Sequence, residues 1–360
     1  MDFSLFYFAD SAPGDNEYDL LLESARFADA NGLTAVWTPE RHFHSFGGRY
    51  PNPAVIGAAL AAVTSRIGIR AGSVVAPLHH PIRIAEEWAA VDKLSGGRAG
   101  VSFASGWHAT DFVLRPETFR DRKNVMAEAV DTVRRLWRGE EVEFTGVDGE
   151  RQVVRVFPTP VQREVPVWIT SGGSVETFRI AGRLGAGVLT HQLGQTHEAL
   201  AGNIAAYREE LAASHGADAP GNVVVMLHTM IGRDRDEVRE VVREPFIGYL
   251  RSSFDLIVRD PAAAGGGFDP AKMSDADKEF LVERSFDRYF STAGLFGTVS
   301  DGVDVVRRMT AIGVDEIACL IDFGVPQDQV LGSLKHLGEL REATGAPSQA
   351  AVTATAGLSM

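Results

Sequence analysis

Apolar positions along this chain follow two periods that take turns. Short runs with strand character, FSLFYFA (3–9), TAVWTP (34–39), IGIRAGSVV (67–75) and AGVSFAS (99–105), are each followed by residues at helical spacing, predicted as helices over 19–30, 54–63, 82–94 and 124–137. The alternation resumes with VPVWIT (165–170), GVLTHQ (187–192), NVVVMLHTMI (222–231) and EIACLIDF (316–323), with helices predicted over 175–184, 198–214, 237–251 and 327–342. Eight consecutive strand–helix units predict an α/β fold in which a parallel sheet closes on itself, a single (β/α)8 TIM barrel. A doubly wound open sheet more often has six units or fewer.

Two stretches break the repeat. Residues 141–157, EVEFTGVDGERQVVRVF, alternate about an Asp-Gly turn and predict a β-hairpin excursion after unit four. Residues 251–300 form a long insertion between strands seven and eight, with PAAAGGG at 261–267 and a helix expected near 274–289. That insertion reads equally as a lid over the catalytic face or as a disordered surface segment. Residues 346–360 are small and polar and are expected to form a flexible tail, leaving 1–345 as the barrel domain.

Composition narrows the partners. A net charge of −13 without any basic run argues against nucleic acid and against anionic membrane surfaces. Cys319 is the sole cysteine, so an internal disulfide and a thiolate metal cluster are excluded, and its apolar run predicts a buried thiol. The amino terminus lacks the basic and apolar regions of a signal peptide, and no run of about 18 apolar residues follows. A soluble, cytoplasmic protein is expected.

In a barrel, functional side chains gather at the carboxyl ends of the strands. After strand two, TPERHFHSFGGRYPNP concentrates Glu40, Arg41, His42, His44 and Arg49. Glu40 and Arg41 either pair at the rim or belong to a ligand site, and His42 can pass a proton near neutral pH. His42 and His44 find no carboxylate or cysteine at matching spacing, so no metal site is predicted. His79 and His80, after strand three, read as loop caps. After strand four, where Ser105 turns the chain, Trp107 and His108 either flank a flat ring or hold a phosphate, or, for Trp107, pack into the core.

Strand five runs into Ser171, Gly172, Gly173 and Ser174, with Thr177 one turn into the next helix. Such a turn is either an ordinary connection capped by Ser174 or a phosphate cradle of backbone N–H groups at a helix N-terminus. Glu176 has to point aside for the second reading. His191 ends strand six next door. The chain has no nucleophile elbow, P-loop or dinucleotide fingerprint, which leaves the hard chemistry to an organic cofactor.

Taken together, TPERHF, AGSVVAPLHHPIRIAEEWAAVDKLSGGR, GVSFASGWHATDF, ITSGGSVETF and GLFGTVSDGVDVVRRM resemble the bacterial luciferase-like flavin monooxygenase superfamily. GWHATDFVLRPETFRDRKNVM and DRYFSTAGLFGT resemble its MupA/Atu3671 branch. The resemblance implies a monooxygenase that takes reduced FMN (FMNH2) from a separate flavin reductase. Dioxygen would add at flavin C4a to give a peroxyflavin, which would oxygenate, in the first place hydroxylate, a natural-product intermediate that is free or tethered to a carrier protein.

It also implies a non-prolyl cis peptide at Gly72-Ser73 beneath the flavin ring, and a phosphate on Ser171, Gly172, Gly173, Ser174 and Thr177. Ser105, Trp107, His108 and His191 would border the cofactor, Glu40, Arg41 and His42 would form the catalytic loop, and two copies would form a homodimer. Luciferases proper carry Glu-His-His-Phe where this chain has Glu40-Arg41-His42-Phe43, so the imidazole at the first of those histidines is absent. A guanidinium there cannot act as a base, and would instead hold an anion. Two other readings remain open: a deazaflavin (F420) dependent oxidoreductase on the same barrel, and a non-catalytic flavin-binding or partner-binding barrel.

Overall fold

Strands form where β-branched and aromatic runs are bounded by turn residues. The structure, a computed structural model, describes residues 1–8, 18–259, 274 and 283–345. Eleven strands occur among them: β1 (Asp2–Phe6), β2 (Ala35–Thr38), β3 (Gly68–Val75), β4 (Ala99–Ala104), β5 (Val142–Thr145), β6 (Arg151–Val154), β7 (Val167–Ser171), β8 (Gly187–His191), β9 (Val223–Gly232), β10 (Leu295–Thr298) and β11 (Glu316–Leu320). Eight of them close a parallel ring in the order β1, β2, β3, β4, β7, β8, β9, β11 and back to β1. This is the (β/α)8 barrel that the eightfold repeat predicts.

The hairpin is present as β5 and β6, antiparallel from Val142↔Val154 to Thr145↔Arg151, with its turn made by Asp148 and Gly149 at φ 63° and 76°. The returning chain is anchored by Asp92, whose buried carboxylate accepts the N–H groups of Val161 (2.7 Å) and Gln162 (3.0 Å) and the Gln162 side-chain amide (2.7 Å).

The insertion differs from its expectation. The helix after β9 runs Arg235–Arg259, eight residues past its predicted end at 251, and the stretch before residue 300 contains β10. Strand β10 pairs with the far half of β9, Thr229–Gly232, while the near half of β9 pairs with β11. A helix, Val299–Ala311, follows at once, opened by a reciprocal cap between Thr298 and Asp301. The sequence pattern places GLFGT inside the insertion without a strand; pairing with β9 makes residues 295–298 one. The PAAAGGG stretch, the first part of the helix expected near 274–289 and the tail 346–360 lie outside the described residues.

Helix boundaries follow local capping chemistry. Asn52 accepts the N–H groups of Ala54 and Val55 ahead of the Pro53–Val63 helix, and Gly96, at φ 70°, ends Pro81–Ser95. At the amino end of the barrel Arg70 pairs with Glu316 at 2.8 Å and lies between Trp37 and Trp168, sealing the interior away from the opposite, carboxyl face. Cys319 is buried, and burial pushes its thiol up to about 12. No helix among the described residues is long and apolar enough to cross a membrane.

Candidate active site

The carboxyl ends of β2, β3 and β4 carry a first group of polar side chains. Glu40 follows β2 with its carboxylate fully buried. It accepts the Val75 N–H at 2.7 Å and hydrogen bonds from His42 Nε2 at 2.8 Å and His79 Nε2 at 2.5 Å. Burial alone would raise this carboxyl, but the bonds from both imidazoles hold it below the usual range. The same bond lifts His79 above its ordinary value despite burial. Because a carboxylate only accepts, both rings donate from Nε2, and Nδ1 of His42 is left as the nitrogen able to exchange a proton.

Arg41 does not pair with Glu40, which corrects the rim-pair reading. Its Nη1 meets Asp111 Oδ2 at 3.3 Å, and its guanidinium carbon stands 5.2 Å from the Trp107 ring centre. Asp111 Oδ1 faces His108 Nδ1 at 3.3 Å, and the Trp107 and His108 rings meet edge to face at 5.5 Å. Trp107 is therefore no core residue; it is 45% exposed. Of the two histidines after β3, His80 caps the next helix through Ile82 N–H, whereas His79 belongs to Glu40.

Between these two loops the Gly72-Ser73 peptide is cis, at a bulge in β3. Gly72 is buried where a Cβ would lie 2.8 Å from the Phe6 ring and 3.1 Å from Trp37 Cβ, so only glycine fits against the core there. Ser73 and Ser105 are half-buried beside it in sequence and sheet order.

A second group sits after β7 and β8. Gly173, at φ 119°, donates its N–H to Ser171 Oγ at 3.3 Å. The turn's carbonyls are tied back: Thr190 Oγ1 donates to Ser171 O at 2.7 Å and Asn203 Nδ2 to Gly173 O at 3.1 Å. Ser174 stands at the N-cap of the Val175–Arg183 helix without a side-chain cap bond, so the ordinary capping role is not taken. Gly172 and Ser174 are exposed, while Ser171 and Thr177 are buried. Glu176 turns along the helix to Arg183 at 2.7 Å, leaving the helix N-terminus clear.

His191 completes this group. A Cβ on Gly172 would meet only its Nε2, at 3.6 Å. Its Nδ1 has no hydrogen-bond partner among the described residues, and desolvation lowers its pKa.

Sequence reasoning missed three participants. Asp111 stands three residues after His108, a spacing that signals a partner on one helical turn. His79 was read as a cap. His228, on β9, is boxed by Phe246, Tyr249 and Phe323 at 4.7, 4.4 and 5.5 Å and is pushed down to about 3 by burial. No cluster of three or more metal-binding side chains occurs among the described residues.

The profile of the family described as luciferase-like monooxygenase matches residues 1–319. The chain belongs to the luciferase-like monooxygenase family. A similar protein is the oxygenase component of flavin-dependent trigonelline monooxygenase from Acinetobacter baylyi, 25% identical, with 94% of this chain and 93% of that protein covered.

Among solved structures, the monooxygenase RslO1 from Streptomyces bottropensis has a TM-score of 0.75 at 22% identity, covering 96% of this chain and 100% of its own. The oxygenating constituent of 3,6-diketocamphane monooxygenase from Pseudomonas putida, in complex with FMN, has 0.74 at 18%, covering 97% and 98%. An F420-dependent secondary alcohol dehydrogenase has 0.70 at 18%, covering 95% and 98%. The trigonelline relative is a flavin-dependent monooxygenase, and this chain, a member of the luciferase-like monooxygenase family, is an enzyme of that class.

Proposed function

We propose that this luciferase-like enzyme binds reduced FMN, delivered by a separate reductase, and oxygenates a natural-product intermediate, free or carrier-bound. The observation that carries the reading is the Ser171–Ser174 turn. Its carbonyls are bonded back into the protein, its glycines keep Cβ atoms out of the approach, and it opens a helix whose first N–H groups have no intrahelical acceptor.

The residues fit a flavin. Ser171, Gly172, Gly173 and Ser174 would hold its phosphate, with Thr177 below them. Gly72, Ser73, Ser105, Trp107, His108 and His191 would border it. Reduced flavin, when bound, supplies the electrons that activate dioxygen. Around it, Arg41 contributes positive charge where a negative oxygen or substrate group arrives, and His42 gives or takes a proton at Nδ1. Glu40 fixes the His42 ring through its Nε2.

A homodimer accompanies this reading. Every residue of the Pro53–Val63 helix, PAVIGAALAAV, is apolar, and Val55 on its outer face is 65% exposed.

The function is tested by adding photoreduced FMN, and separately reduced F420, to the protein and following flavin reoxidation by dioxygen. Reduced FMN is expected to bind and to reoxidise at a rate different from free flavin, and Gly173→Val, which drives a side chain into Gln195, to abolish that difference. Reoxidation at the free rate with native protein removes the reading, and selective binding of F420 replaces it.

A further inference from the structure

Arg41 leaves the loop after β2 and reaches over the carboxyl end of β3, since β3 lies between β2 and β4 in the ring and its partners Asp111 and Trp107 follow β4. The guanidinium therefore bridges the strand that carries the cis peptide. The residue is 3% exposed, yet Nε and Nη2 have no hydrogen-bond partner among the described residues. Its one ionic contact, at 3.3 Å, is longer than the roughly 2.7–2.9 Å of a strong charge-assisted bond. Asp111 is moreover shared with His108, so its charge is divided.

A guanidinium stays charged at neutral pH, and buried charged donors without acceptors are costly to keep. The two unpartnered nitrogens share one edge of the planar group, the edge that takes both oxygens of a carboxylate. The side chain is held for such a contact. Gly47, at φ 77°, packs so closely that a Cβ there would lie 3.0 Å from Arg41 Cγ, and Trp107, whose ring centre lies 5.2 Å from the guanidinium carbon, is half exposed.

We propose that Arg41 and Trp107 form the substrate anchor of this enzyme, recognising a carboxylate borne on a flat, preferably aromatic, substrate. The carboxylate pairs with Nε and Nη2, and the ring it is attached to packs against the Trp107 indole. This deepens the monooxygenase reading and rests on it for the placement of the reacting carbon over the flavin. Phosphate monoesters present the same kind of oxygens to the same edge, so both are tested.

Benzoate, phenyl phosphate and the neutral benzamide are titrated calorimetrically into the flavin-free native protein and into Arg41→Gln in a phosphate-free buffer, so that only binding that depends on Arg41 is counted. Benzoate is expected to bind saturably and benzamide not to bind. Arg41→Gln should weaken benzoate by about tenfold or more through loss of a charged two-point contact, and Arg41→Lys by less. Trp107→Ala should weaken it without admitting benzamide. Far-ultraviolet circular dichroism identifies any variant that fails to fold, and Arg41→Lys keeps the test alive if Arg41→Gln does.

Absence of saturable benzoate binding, or equal binding by native protein and Arg41→Gln, overturns the proposal. Preference for phenyl phosphate over benzoate overturns the carboxylate assignment. The titration uses no flavin, so failure of the cofactor reading leaves its result intact, and its failure leaves the reoxidation test intact.

Discussion

At the scale of single residues, burial has separated the titration behaviour of groups of the same type. Glu40 is held ionised by two imidazoles and a backbone N–H, whereas Asp322, buried at the carboxyl end of β11, is pushed up to about 7 by desolvation. Asp322 accepts the Phe8 N–H at 2.6 Å and the Tyr50 hydroxyl at 3.1 Å, which offsets only part of the burial cost. The folded protein therefore holds a proton there that the unfolded chain releases near the ordinary carboxyl value. Stability from this group is fully present below about pH 4 and is lost as pH rises through about 7, on the order of 4 kcal/mol over the whole window. Asp322→Asn, measured by urea denaturation at pH 5 and pH 8, is expected to lose clearly less stability between the two than the native protein. Equal losses would show that Asp322 titrates normally. Of the site, Glu40, Arg41, His42, Trp107, His108 and the glycine turn were legible because unusual residue types cluster next to strand ends. Asp111 and His228 were not, since an aspartate in a polar loop and a histidine in an apolar strand look ordinary until a partner from another element comes beside them.

Elements with a strong local signal were legible, and those defined by a partner were not. The eight ring strands carry enough β-branched and aromatic residues to declare themselves, and Asn52 and Gly96 mark helix ends by chemistry that needs no tertiary context. Strand β10 is four residues long with a central glycine, and exists because Leu295–Thr298 lies in register with Thr229–Gly232. Its continuation into the Val299–Ala311 helix depends on Thr298 Oγ1 accepting the Asp301 N–H at 3.3 Å and on Asp301 Oδ2 accepting the Thr298 N–H at 2.8 Å. Asp301 also holds Arg235 at 2.7 Å, joining this helix to the long one after β9. Thr298→Ala is expected to cost about 1 kcal/mol of stability, a typical value for a lost cap. Asp301→Ala should cost more, because the interhelical ion pair goes with the cap. Urea midpoints of the two variants check the order, and a larger loss for Thr298→Ala would contradict it.

At the scale of the whole molecule, the fully apolar Pro53–Val63 helix is the place where a second copy is expected to dock. Light scattering coupled to gel filtration should report a dimer for the native protein and a monomer for Val55→Lys, since a lysine placed in an apolar seam loses its hydration on association. A native monomer would remove the dimer from the picture. Strand β9 has a different reach. Its near half closes the ring with β8 and β11, and its far half, beyond the rim, carries β10 on a ledge that takes no part in closure. Strand β10 thus hangs from a bracket outside the eight-strand circuit, and the described residues just before it reach back to the ring through Tyr289, whose hydroxyl donates to Gln192 O at 3.1 Å. Because no ring pairing passes through β10, substitutions confined to that ledge are expected to leave the register of the eight-strand circuit unchanged.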